Sequence, residues 1–317
     1  MRLFAIALIG YDIYGRRAIH QRQGYSVADL CRINRRDVLG GLAATLAAGT
    51  VGGCAGGGVP RAPAVTEAWD RWVAHEPTST RVLDHRPLDA ILARHLRYRS
   101  DGIALFPYGE VPLTEQEALD DYIRWLTDTQ VGRLNRREQY AYWINLHNVL
   151  LLRLVMRRYL VMSVRDIAIG TGPFADNAWQ AKLVAVRGVP VSLSDIVDRI
   201  LRPIWRDPRV HYGLSLAAVG GPNLLAHAFT GANIDRLLDD AAVEFVNHPR
   251  GVRVEARGLV LSGLYDRYRG DFGTSVDTMV KHVRLYAAPP ISNQVAGLAR
   301  ARFEFDWSLN DGTGLAG

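Results

Sequence analysis

Sulfur and lysine are scarce in this chain of 317 residues, which has two cysteines, four methionines and lysine at positions 182 and 281 alone. Both cysteines, Cys31 and Cys54, lie within the first 54 residues. Everything after them must therefore work without a disulfide, a thiolate nucleophile or a cysteine-ligated metal. The nine histidines include no His-Glu-x-x-His and no close pair, which argues against a metal centre. Acidic or basic excess is also missing once the chain is divided. The formal charge is +6, but residues 1–53 hold seven arginines against three acids, leaving 31 basic and 29 acidic residues beyond. The basic character belongs to the N-terminal stretch and gives little support to a nucleic-acid partner. The use of arginine for nearly all cations fits a GC-rich genome. The whole chain, with 48% hydrophobic and 22% charged residues, has a globular composition, and the roughly 260 residues beyond Cys54 suffice for one sizeable domain.

What the N-terminus does have is an ordered set of signals. Asn34-Arg35-Arg36-Asp37-Val38-Leu39 precedes a Gly/Ala-rich run that ends at Val51-Gly52-Gly53-Cys54. The run Val38–Gly53 is 16 residues, short of the roughly 20 needed to span a bilayer. A paired arginine, a weakly apolar segment and a cysteine behind small residues resemble a twin-arginine export signal ending in a lipidation site. Val38 and Asn34 depart from the commonest residues of such signals, and Gly52 is a tolerated variant. Residues 1–33 fit either a start codon placed too far upstream or an unusually long leading region. The expectation is an export signal over 1–53, with Arg35 and Arg36 as its determinants and Cys54 as the acylated residue, palmitate included. That implies a chain in the cell envelope, held on the outer side of the cytoplasmic membrane, or at the outer membrane if the organism has one.

Beyond Cys54, residues 54–80 read as a tether and a short helix near Glu67–His75, residues 81–311 as the globular domain, and 312–317 as a disordered tail. Helices are predicted over Leu88–Tyr98 and Thr114–Thr127, the latter with Thr114 and Glu117 in capping-box positions. Another runs over Arg136–Leu160, with Asn135 as N-cap and an interior apolar nearly all round, which marks a central buried helix. Gly188 and Gly258 each sit between short β-prone runs and predict hairpins at Lys182–Leu193 and Val252–Leu261. Val210–Leu216 and Phe303–Trp307 are further strand candidates. Ser194–Leu201, Ile234–Val246 and Asp277–Tyr286 complete the helices. The expected class is α+β: a single domain with a central buried helix, amphipathic helices and a small, mostly antiparallel sheet.

Two segments concentrate polar chemistry. Trp143-Ile144-Asn145-Leu146-His147-Asn148 sets amides and an imidazole on the buried helix, where each must find partners or border a cleft. Arg209–Pro222 contains His211 and, in Gly213-Leu214-Ser215-Leu216-Ala217, a near match to a nucleophile elbow. The Val-Gly-Gly-Pro that follows cannot start the helix an elbow needs. On an extended strand His211 and Ser215 would be about 13 Å apart, too far for a direct bond. The candidate site residues are thus His211, Asp198 and Ser215 for chemistry, and Trp143, Asn145, His147, Asn148 and Asn223 for a cleft. No cofactor and no metal are expected.

These segments carry a resemblance. Tyr140–Asn148, Ser163–Ile167, Ser192–Ile196 with Ile200–Arg202, Asp207–His211, Asn247–Gly251, Asp271-Phe272-Gly273 and Phe305–Asn310 together resemble the family called domain of unknown function 547. The resemblance extends over roughly residues 85–311. It implies a bacterial envelope or secreted protein whose biochemical activity is not established. Members of that family commonly carry an Asn-Cys pair after the histidine and a Cys before the Pro, where this chain has Ser215-Leu216 and Gly221. Ala218 stands for a Ser, Val197-Asp198 for a Glu-His, and His147 falls at or beside a Tyr. If the family's cleft used thiol or acid–base groups, this chain has lost most of them. The expectation is a non-catalytic binding or assembly domain whose partners are the membrane, through its anchor, and an envelope protein or small ligand. The alternative is a hydrolase or transferase with a rewired cleft using His211, Asp198, Asn145 and Ser215.

Overall fold

The chain is seen here as a computed structural model that describes residues 61–65, 67–170 and 175–314. The arginine pair, Cys54 and the first part of the tether lie outside the described residues. From Ala55 onward the chain forms one compact unit. Its described helices and strands, in order, begin with α1 (Arg86–His95), β1 (Arg97–Tyr98), β2 (Ala104–Leu105), α2 (Leu113–Asp128) and α3 (Arg136–Arg157). Two short hairpins follow, β3 (Ala168–Ile169) with β4 (Asp176–Asn177) and β5 (Val184–Val186) with β6 (Val189–Val191). A π-helical segment, Asp195–Leu201, then runs into α4 (Arg202–Trp205), followed by α5 (Val210–Gly213) and α6 (Ile234–Asn247). The chain closes with β7 (Val252–Glu255), β8 (Gly258–Ser262), α7 (Gly263–Arg267), α8 (Arg269–Phe272), α9 (Val276–Val283), α10 (Pro289–Val295) and β9 (Ala301–Glu304). The class is α+β, with helices around several small sheets.

The core is organised on α3. Its N-cap forms as the sequence implies, with the Asn135 side chain accepting from the Glu138 N–H at 3.0 Å, so one of the donors a helix start leaves open is satisfied. From Glu138 to Leu152 every residue of the helix is buried. An apolar stripe on one face would serve a surface helix; apolar residues on all faces need neighbours on every side. α2, α6 and the π-helical segment supply them. Fully burying each Leu, Ile or Val here contributes about 1.5–3 kcal/mol.

Several local expectations are revised. α2 starts one residue early, at Leu113, so Thr114 is inside the helix and the capping box with Glu117 does not form; Pro112, with φ already set near the helical value, takes the N-cap position. Val210–Leu216 is not a strand. Asp207 accepts the Arg209 N–H at 2.9 Å and turns the chain into α5, after which Leu214 is extended. The hairpins stand. Arg187 and Gly188 both have positive φ, the signature of the tight turn that matches strand twist. β9 pairs parallel to β8, Leu259 opposite Ala301, so the three-stranded sheet is mixed. The chain then leaves the sheet and runs as a strap: Val219 and Gly220 donate to the Ser308 and Asp306 carbonyls, and Leu309 donates to Met162. A Cβ at Gly220 would lie 2.5 Å from the Asp306 nitrogen, which is why glycine occupies that crossing. Gly312, expected in the tail, donates to the Phe106 carbonyl, and its own carbonyl accepts from Arg97. The tether settles earlier than expected, at Ala62, whose N–H donates to the Arg267 carbonyl at 2.8 Å.

Candidate functional site: a cleft floored by a buried histidine

The π-helical segment and α4 are shaped by one proline. Pro203 has no N–H to give the Arg199 carbonyl, and the Trp69 N–H takes that carbonyl instead at 3.0 Å. π-segments recur at functional positions because the extra residue re-aims a side chain. Here Asp198 and Arg202 meet, Arg202 Nη1 donating to Asp198 Oδ1 at 2.9 Å. The same guanidinium donates through Nε and Nη2 to Asp271 at 2.6 and 3.1 Å, and through Nη1 to the Pro63 carbonyl. Its side chain is only 1% exposed, so these bonds compensate a charge that would otherwise be costly to bury.

Asp271 also receives His211. The His211 Nε2 lies 2.6 Å from Asp271 Oδ2, and the ring stacks on Tyr268 with centroids 3.8 Å apart. Burial alone would raise the Asp271 carboxyl; hydrogen bonds from His211 and Arg202 reverse this and hold it at about 2. Burial lowers the His211 imidazole below its usual range, with Asp271 opposing. A neutral imidazole beside a carboxylate must carry its proton on Nε2, so the tautomer follows from the partner. Nδ1 then carries the free lone pair of the ring, which borders the cleft floor.

The cleft itself has a volume of about 530 Å³. Trp179, Phe305 and Trp307 form an aromatic wall, with Trp307 centroids 5.8 Å from Trp179 and 4.5 Å from Phe305. Arg61, Arg165 and Arg267 border it, Arg165 lying 5.3 Å over the Trp307 ring and Arg61 3.6 Å from Asp266. Below Ser194, Asp198, Leu216 and Leu264 the cleft narrows to a neck of about 10 Å³ that reaches His211 and His147. That is room for about one water. Leu193, Val197, Leu214 and Leu216 close in around it. The arrangement can hold a planar or apolar body with an anionic group between aromatic and guanidinium surfaces, with room for about one water between that body and His211.

The expected residues divide sharply. His211, His147 and Asp198 line the neck. Burial pushes the His147 imidazole down to about 4, while its Nδ1 sits 3.2 Å from Asn148 Oδ1. Asn145 and Asn148 are backbone clamps. Asn145 donates to the Phe229 carbonyl at 2.7 Å and accepts its N–H at 2.9 Å. Asn148 donates to the Gly213 carbonyl and accepts the Ser215 N–H, both at 2.9 Å. Asn223 clamps Ala104 and Gly102 in the same manner. The Ser215 hydroxyl accepts the Ala217 N–H at 3.2 Å, a local turn contact. Trp143 packs edge-on to Trp72 at 5.1 Å in the core. Trp143, Asn145, Asn148, Asn223 and Ser215 therefore leave the list of cleft groups. Missing from it were Asp271, Arg202, Ser194 and the aromatic wall; the motifs Ser192–Ile196 with Ile200–Arg202, Asp271-Phe272-Gly273 and Phe305–Asn310 held all of these but Trp179. Among the described residues no group of three His, Cys, Asp or Glu side chains is placed to hold a metal ion.

Comparison with known sequences finds a family model similar to part of this site. Residues 131–246 match the sequence model described as "Protein of unknown function, DUF547", a segment running from just before α3 to the end of α6. It includes the Asn clamps, the π-helical segment and His211, while Asp271 and Trp307 lie beyond it. Neither the curated proteins nor the solved structures yield a match.

Proposed function

We propose that this chain is an exported, lipid-anchored envelope protein whose domain binds a small ligand or a partner group in the aromatic cleft and does not catalyse a reaction. The observation that carries the proposal is the roughly 10 Å³ neck at His211. An acid–base residue must come within hydrogen-bond reach of the proton it moves, directly or through one water, and the leucines and Val197 at this neck keep any body larger than a water away from His211. The family resemblance adds to this reading. Where that pattern has a cysteine this chain has Leu216, whose side chain borders both the neck and the cleft, and the second cysteine position is Gly221. His211 and Asp271 then persist as a buried polar strut that supports the floor.

The ligand reading is tested on the protein extracted from its own membrane. Native mass spectrometry should reveal a retained small molecule, and Trp179→Ala with Trp307→Ala should weaken its binding about tenfold or more, the loss of one good contact being about 1.4 kcal/mol. Turnover of ester or amide substrates that disappears in His211→Asn would refute the non-catalytic half. The address has a separate test: Arg35→Lys with Arg36→Lys should block export, and Cys54→Ala should release the chain from membranes. Cys54→Ala protein that stays membrane-bound would overturn the anchor.

One observation favours the enzymatic alternative. Asp271 holds His211 in the tautomer a general base requires. With Asn145 and Ser215 committed to the backbone, that alternative would need Ser194, the hydroxyl that borders both cleft and neck. Labelling of Ser194 by a fluorophosphonate probe would favour it over the binding reading.

A further inference from the structure

We infer that the loop Arg158–Ser163 is a membrane-docking element that turns the mouth of the cleft toward the bilayer; the inference rests on the lipid anchor proposed at Cys54. Leu160 and Met162 are 86% and 82% exposed, more than any other large apolar side chain described in the chain. They stand two residues apart on one loop. Leu160 also holds φ at 82°, a conformation unfavourable for a branched side chain, and it gains no packing in exchange. Strain kept without internal reward points to a use outside the fold.

The surroundings specify the partner. The segment 157–166 contains Arg157, Arg158 and Arg165 against a single acid, Asp166. Arg157 shares Asp120 with Arg153, so that local group keeps a net positive charge. Exposed apolar residues flanked by arginines match the boundary between acyl chains and anionic headgroups; a protein groove would require a shaped apolar face that this loop does not offer. The loop is also continuous with the cleft rim. Leu309 donates to the Met162 carbonyl at 2.9 Å, and Arg165 lies over Trp307 in the cleft wall. The cleft is also bordered by Arg61, seven residues beyond Cys54. Fully extended, seven residues reach at most about 25 Å. A short leash and an apolar loop that both adjoin this cleft would bring its mouth to the membrane. The occupant is therefore a phospholipid surface bearing anionic headgroups.

The test uses the full lipidated chain in vesicles of phosphatidylethanolamine and phosphatidylglycerol. With Cys54 acylated, Met162→Cys is the sole reactive thiol of the mature chain and can carry an environment-sensitive fluorophore; Leu285→Cys, exposed on another part of the domain, serves as control. The expected result is a blue shift and quenching by acyl-brominated lipid at position 162 and neither at 285. Emission at 162 as water-exposed as at 285, with Cys54 blocked, overturns the docking loop and leaves the anchor standing. Uptake of fluorophore by wild-type Cys54 overturns the anchor, and the orientation built on it falls with it.

Discussion

His211, Asp271 and Arg202 form a chain of charge-assisted bonds in which each group makes the next tolerable to bury. Removing the central carboxylate should be felt more than removing either end. Asp271→Ala is expected to destabilise the domain by about 3 kcal/mol, since it strips the buried guanidinium and the imidazole of a partner together; urea unfolding measures this, and a change under about 1 kcal/mol would show the network to be ornamental. Asn145→Ala should cost about 2–4 kcal/mol, because both the N–H and the C=O of Phe229 lose their partner in the interior. The two asparagines also explain what was legible at this scale. Amides on an all-apolar helix had to be satisfied somewhere, and the choice between a network and a cleft could be posed from sequence but not decided. His211 was visible as a candidate because it stood in a dense motif. Its carboxylate was not, because Asp271 is 60 residues further along, and nothing in spacing links the two.

At the scale of elements, the regular parts were readable and the irregular ones were not. α3, α6 and the two longer hairpins follow from hydrophobic period, an Asn cap and glycine-centred turns. The π-helical segment shows the same apolar period as an ordinary helix over so few residues, so its extra residue leaves no trace in the pattern. α5 was masked because the run from Val210 to Leu216 alternates like a strand, while the deciding contact is the Asp207 turn ahead of it. Pro203 carries a prediction here. Pro203→Ala supplies an N–H that competes for the Arg199 carbonyl and should loosen Trp69. Hydrogen exchange at residues 67–72 should then quicken while α3 is unaffected. Unchanged exchange there would mean that Trp69 is held by its cation contact with Arg199, whose guanidinium lies 3.9 Å from the ring, and not by the carbonyl.

For the molecule as a whole, buried neutral histidines predict how stability responds to acid. Burial lowers His85, His147 and His282 each to about 4 from 6.5. Between those values the unfolded chain binds protons that the folded chain refuses, so stability falls as pH falls from 6.5 toward 4. The slope is up to about 1.4 kcal/mol per pH unit for each such group. Thermal unfolding at about pH 7 and about pH 4.5, roughly the ends of that window, should differ markedly, and equal midpoints would contradict the neutral burial. Among the described residues no helix is long and apolar enough to cross a membrane; the attachment proposed above uses Cys54 and the docking loop. The proposed arrangement would bring the cleft to a surface, where it would hold a ligand.

The central claim is that the cleft ends before His211. Mapping of histidine modification by diethyl pyrocarbonate tests it most directly, with exposed His227 as internal reference. The account predicts that wild-type protein is modified at His227 and spared at His211, and that Leu216→Ala, which opens the neck, exposes His211 to the reagent. Modification of His211 in the wild type at a rate comparable to His227 would contradict it and return the dyad to the ranks of working catalytic groups.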